Sequence, residues 1–211
     1  RQRQMCIRDR QYGYLERSTH ENLPQDRAKF EVSMHKWADL SEAEFGVALL
    51  NDSKYGISVH GSDARISLIK SGLRPDTRGD EGEHFFTYSL LPHASGFSVP
   101  SVVRPAYELN IPVLETAADG PARKMDSLAE FDGDNIVVES VKWTEEGSGF
   151  VLRFYDALKT GKNVKIKFGL PVKKVYETNL LEENERALVL TDNTVSLSVH
   201  PFEVKTLLCR L

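Results

Sequence analysis

Apolar residues recur at every second position along much of this chain. Phe45, Val47 and Leu49 share one face, as do Ile66 with Leu68, and Phe86, Tyr88 and Leu90. Further on come Phe150, Leu152 and Phe154; Val164, Ile166 and Phe168; Val195, Leu197 and Val199; then Phe202, Val204, Thr206 and Leu208. Polar residues such as Lys165, Lys167, Ser196 and Ser198 fill the alternate positions. A two-residue period with one polar face predicts half-buried antiparallel strands. Turn chemistry separates them, as in Asn51-Asp52, Tyr55-Gly56, His60-Gly61, Gly147-Ser148-Gly149, Thr160-Gly161 and Asp192-Asn193. Helical signal is confined to short pieces at 41–44 and 106–109. The predicted fold class is all-β, built as antiparallel sandwich-like domains.

The pattern also divides the chain. Alternation fades over 115–135, a polar stretch with glycine and proline that reads as a connection. Part of it, around Ser127, Leu128 and Phe131, retains enough apolar character for a short edge strand. The opening RQRQMCIRDR has four arginines, no periodicity and no initiator methionine. Residues 1–11 are therefore expected to be a non-native or disordered leader outside the fold. Residues 12–125 are assigned to part of a large β-sandwich domain, and 126–211 to a small C-terminal β-sandwich whose strands start near Ile136.

Composition narrows the function classes. The 211 residues are 40% hydrophobic and 27% charged, as in ordinary globular domains. The net charge of −4 carries no basic excess on the scale that phosphate neutralisation requires, which disfavours nucleic-acid partners. No run of about 18 apolar residues suggests a membrane span. Cys6 and Cys209 lie near opposite ends with no CxxC or Cys/His pairing, so free thiols in a reducing cytoplasm are expected.

Candidate chemistry is sparse. Asn51, Asp52, Lys54 and Tyr55 sit in one turn after a strand, offering an amide, a carboxylate, an amine and a phenol. Such a set can bond sugar hydroxyls, and Tyr55 adds an apolar ring face. The structural alternative is that Asn51 and Asp52 hold the turn through side-chain-to-backbone bonds. Asp80, Glu81, Glu83 and His84 suggest a metal or acid–base cluster, but a solvated loop leading into 85–90 explains them more simply. No HxH or HxxxH spacing supports zinc, and no GxSxG elbow marks a nucleophile. Lys162, Lys165, Lys167, Lys173 and Lys174 read as an outward face that discourages edge pairing. Trp37 and Trp143 are expected in the core, Trp143 on one face with Val137 and Val141.

Ordered blocks along the chain carry a resemblance. They are KFEV-MHKWADLSE at 29–42, EFGVALLNDSKYGISVH at 44–60, RISLIK at 65–70 and EGEHFFTYSLLPH at 81–93. RPAYELNIP at 104–112, VVESVKW at 137–143, VLRFYD at 151–156, ETNLLE at 177–182 and PFEVKTL at 201–207 follow. From Tyr12 onward the chain resembles the C-terminal half of glycoside hydrolase family 38, the retaining α-mannosidases, closest to their cytosolic and bacterial branch.

The resemblance implies a C-terminal part of an enzyme that hydrolyses terminal α-mannosidic bonds in oligosaccharides or glycans. The catalytic barrel, its nucleophile and its zinc ligands would lie outside this chain, which would be inactive alone and hold no cofactor. Asn51, Asp52, Lys54 and Tyr55 would then shape the rim of the sugar pocket. Implied partners are the N-terminal catalytic barrel of the same protein, mannose-containing glycans and further copies in a homo-oligomer, with no nucleic acid and no membrane. An autonomous carbohydrate-binding module and a purely structural sandwich are the competing expectations.

Overall fold

In the computed structural model, which describes residues 5–72, 74–115, 117, 120, 127–183 and 186–211, the chain folds as two units. The first unit, Arg1–Leu114, holds two antiparallel sheets. Its strands are β1 Met5–Arg10, β2 Gly13–Arg17, β3 Val32–Ser33, β4 Trp37–Ser41, β5 Phe45–Asn51, β6 Gly56–His60, β7 Asp63–Ser67 and β8 Tyr88–Ala94. The larger sheet runs β2-β1-β4-β5-β8 and the smaller β3-β6-β7. Strand pleating sends Ala38, Leu40, Val47 and Leu49 to one face of the larger sheet. There Ala38 and Leu49 pack with Met34, Ile57 and Val59 of the smaller sheet's side, and Leu40 lies against them.

The opposite face is buried too. Short helices α1 Pro24–Ala28 and α2 Arg104–Asn110 belong to this unit, and a π-helical turn over Val99–Val103 leads into α2. Val99, Val102, Val103 and Ala106 are buried, with the π-turn against β4 and α2 against β5. Trp37 is buried as expected, stacked on Phe97 at 4.9 Å between ring centroids. On this face His93 of β8 reaches across β5 to Asp39 of β4, its Nε2 2.8 Å from Oδ1. Both side chains are buried. The crossing needs Gly46, where any Cβ would lie 2.3 Å from the imidazole.

The second unit, Glu115–Leu211, contains β9 Ala129–Phe131, β10 Ile136–Trp143, β11 Gly149–Asp156, β12 Lys162–Phe168, β13 Lys174–Thr178, β14 Arg186–Leu188, β15 Leu190–Thr191, β16 Thr194–Val199 and β17 Val204–Arg210. Its sheets run β10-β11-β17-β13-β14 and β15-β16-β12-β9. The core is formed by the alternating sets read from the sequence: Phe150, Leu152 and Phe154; Val164, Ile166 and Phe168; Val195, Leu197 and Val199.

Several expectations are corrected. The opening segment is not outside the fold: Met5–Arg10 pairs with both β2 and β4. Alternation misses it because Cys6, Ile7, Arg8 and Asp9 are all buried, and Asp9 is satisfied by the Lys36 N–H at 2.7 Å. Residues 41–44 form no helix; they close the hairpin between β4 and β5, where the Glu42 N–H donates to the Phe45 carbonyl at 2.8 Å. In β17 the residues that join the core are Leu207 and Cys209, not Thr206 and Leu208, which point the other way and are also buried. The lysine-bearing strand β12 is interior, between β16 and β9, so its outward lysines guard no edge.

Trp143 is the largest departure. A bulge between Val138 and Ser140 reverses the face of β10 midway. Val137 therefore sits beside Tyr155, whereas Val141 and Trp143 sit beside Leu152 and Phe150. Because β10 is an edge strand, Trp143 overhangs the core and is 67% exposed.

Candidate functional site

The loop after β5 brings Asn51, Asp52, Lys54 and Tyr55 together, in two kinds of role. Asn51 is fully buried and works inward. Its Nδ2 donates to the His35 carbonyl at 2.7 Å, and its Oδ1 accepts the Lys54 N–H at 2.6 Å. Asn110 of α2 donates to the Asn51 carbonyl at 3.0 Å, which ties the loop to the helix. Asp52 clamps the chain entering β8, its Oδ2 accepting the Thr87 N–H at 2.9 Å. Its Oδ1 accepts the Ser53 hydroxyl at 2.8 Å. These bonds, the Thr87 N–H foremost, hold the Asp52 carboxyl below the usual carboxylate range. The turn-holding role weighed for Asn51 and Asp52 is thus visible in the hydrogen bonds of both.

Lys54 and Tyr55 face outward. The Lys54 ammonium lies 4.9 Å from the Phe86 ring centroid, a cation–π distance. Tyr55 is 50% exposed, and its ring lies 5.4 Å from that of His35. Burial, then the Lys36 and Arg10 charges, pushes the His35 imidazole below its ordinary value, which favours the neutral ring. The Lys36 ammonium in turn sits 4.6 Å over Tyr107 of α2.

Sequence reasoning missed His35, Phe86 and Asn110 as neighbours of this loop. They come from 35, 86 and 110, and only the fold brings them to one end of the larger sheet. The available signal was that each falls within one of the quoted blocks.

The other candidates separate from this site. His84 Nε2–H donates to the Asp80 carbonyl at 2.9 Å, and Arg78 pairs with Glu81 at 2.8 Å, all on exposed loop. Among the described residues no group of three His, Cys, Asp or Glu side chains could hold a metal ion. Cys6 and Cys209 are buried free thiols, and burial pushes Cys209 up to about 12.

Comparison with known proteins supplies the context. Residues 2–78 match the family 38 glycosyl hydrolase C-terminal domain, and residues 135–207 match the family 38 C-terminal beta sandwich domain. The chain is 41% identical over 204 residues to human alpha-mannosidase 2C1, covering 94% of this chain and 20% of that protein. It is 37% identical over 203 residues to alpha-mannosidase G of Dictyostelium discoideum, covering 93% and 19%. Against an alpha-mannosidase of Saccharomyces cerevisiae the identity is 31% over 217 residues, covering 92% and 20%. The chain therefore spans about a fifth of the length of these curated relatives. The crystal structure of an alpha-mannosidase from Enterococcus faecalis V583 shares the fold, with a TM-score of 0.73 at 17% identity, over 97% of this chain and 24% of that one. The chain belongs to glycoside hydrolase family 38, of which it carries the C-terminal β region.

Proposed function

We propose that this chain is the supporting C-terminal part of a retaining α-mannosidase that cleaves terminal α-mannosidic bonds in oligosaccharides or glycans. The observation that carries this reading is the ordered match of the chain to proteins named α-mannosidases, over 94% of its own length but a fifth of theirs. Retention needs two carboxyls about 5–5.5 Å apart, one attacking the anomeric carbon and one protonating the leaving oxygen. The one carboxylate in the loop, Asp52, is already committed to Thr87 and Ser53. Zinc does not fit the described residues. We assign the nucleophile, the acid and the metal to a catalytic barrel outside this chain.

In this reading Asn51 and Asp52 hold the loop from within, while Lys54 and Tyr55 present an ammonium, a phenol and a ring face at the rim of the sugar pocket. The partners are the barrel of the same protein, mannose-containing glycans and further copies in a homo-oligomer. We place the protein in the cytoplasm, where its two unpaired thiols stay reduced, within the cytosolic and bacterial-type branch of the family.

Asp52→Ala and Tyr55→Ala in the longer enzyme are expected to lower kcat/KM on a chromogenic α-mannoside by about tenfold or more, as misplaced positioning groups do. Unchanged kinetics would reduce the loop to a structural turn, and hydrolysis by the 211-residue chain alone would remove the division of labour. One observation favours a second reading, an autonomous carbohydrate-binding module: the exposed indole of Trp143 offers a stacking face. Calorimetric binding of mannosides by this chain, lost on Trp143→Ala, would favour that module.

A further inference from the structure

The facing sheets of the first unit are unequal, five strands against three. Strands lie about 4.8 Å apart, so the difference leaves roughly 10 Å of the larger sheet uncovered. A cavity of about 630 Å³ lies there, lined by Phe45, Val47, Ile57, Ile66, Tyr88 and Leu90 among others. The alternation that normally marks a buried face is present, yet Phe45 is 57%, Tyr88 52% and Leu90 67% exposed. Beside the cavity runs β7, the last strand of the smaller sheet.

Among the described residues no strand pairs with the outer edge of β7, and the register makes that edge specific. β6 and β7 are joined by Gly61-Ser62, with His60 opposite Asp63. Gly61 has φ 59°, as the first central residue of a type II′ hairpin requires. The pair flanking such a turn is hydrogen-bonded, and bonded pairs alternate, so Ala64 and Ile66 aim their N–H and C=O groups at the open edge. Their side chains sit beside Val59 and Ile57, on the groove side. The other edge, β8, contains Pro92, a residue suited to a strand that stays at an edge.

We infer that the groove is the seat of extended apolar segments of the same protein lying outside this chain, which pair with β7 and complete the smaller sheet over Phe45, Val47, Tyr88 and Leu90. This rests on the reading that the chain is part of a longer enzyme, and the roughly four-fifths of the relatives' length beyond the match supplies the occupant. A second copy fits less well. Full-length antiparallel pairing of β7 with itself centres on Arg65 and sets two guanidinium groups opposite each other.

The test compares the 211-residue chain with the longer protein that contains it, by amide hydrogen exchange and by labelling of Leu90→Cys with a maleimide. Ala64 and Ile66 are expected to exchange about a hundredfold more slowly in the longer protein, and Cys at position 90 to be labelled only in the short chain. Equal exchange and equal labelling in both would overturn the proposal. So would protection in the short chain that rises with its concentration and accompanies a sedimenting dimer, since a second copy would then fill the groove. α-Mannoside turnover by the longer protein separates the two readings. Turnover with β7 unprotected sinks only the sheet completion, whereas protection without turnover sinks only the mannosidase assignment.

Discussion

Gly46 is the residue on which the outer face of the first unit turns. It stands directly opposite His93 in the register and lets the imidazole cross β5 to Asp39. Both partners keep one polar atom, Asp39 Oδ2 and His93 Nδ1, without a hydrogen bond, so the 2.8 Å contact is the chief compensation for burying them. Gly46→Ala forces the ring off that contact and overpacks a closed layer. The expected loss is about 2–3 kcal/mol of unfolding free energy, read by urea denaturation; a loss within 0.5 kcal/mol would mean that His93 has another seat.

Elements were legible where one face is dry and the other wet. Val164, Ile166 and Phe168 alternate with exposed Lys165 and Lys167, and β12 forms over them. Where both faces are covered, alternation carries no information: β17 shows four consecutive buried residues, and the sequence pattern pointed to the wrong pair. Backbone events hide as well, since nothing in VVESVKW announces the bulge that moves Trp143 from the face of Val137 to that of Phe150. The candidate loop was legible through its turn residues, but His35, Phe86 and Asn110 were not, because their approach is a property of the fold. Between β13 and β17 an ion-pair group is likewise a product of pairing. Glu177 accepts from Lys205 at 2.8 Å and pairs with Arg186. Burial raises the Glu177 carboxyl, but the bonds from Lys205 and Arg186 outweigh it, so the net direction is downward. A folded value below the unfolded one stabilises above about pH 4.5, and that stability is lost as pH falls through the folded value. Glu177→Gln is expected to cost about 1–2 kcal/mol at pH 7 and to flatten the acid limb of stability against pH; an unchanged limb would remove the assignment.

For the whole molecule, the division into two units means that each must hold its own core, and the two do so unequally. The second unit closes a large apolar cluster between its sheets, whereas the first leaves its groove open. Each unit also carries one of the chain's two tryptophans, and their surroundings are opposite: Trp37 is shut in against Phe97, Trp143 stands in water. The chain thus contains its own pair of optical reporters. A red shift in emission on denaturation should follow the first unit almost alone, while iodide should quench the native second-unit indole and leave the other dark to it. Trp143→Phe is expected to abolish the native quenching and keep the red shift, so that the melting of either half can be watched without an added label.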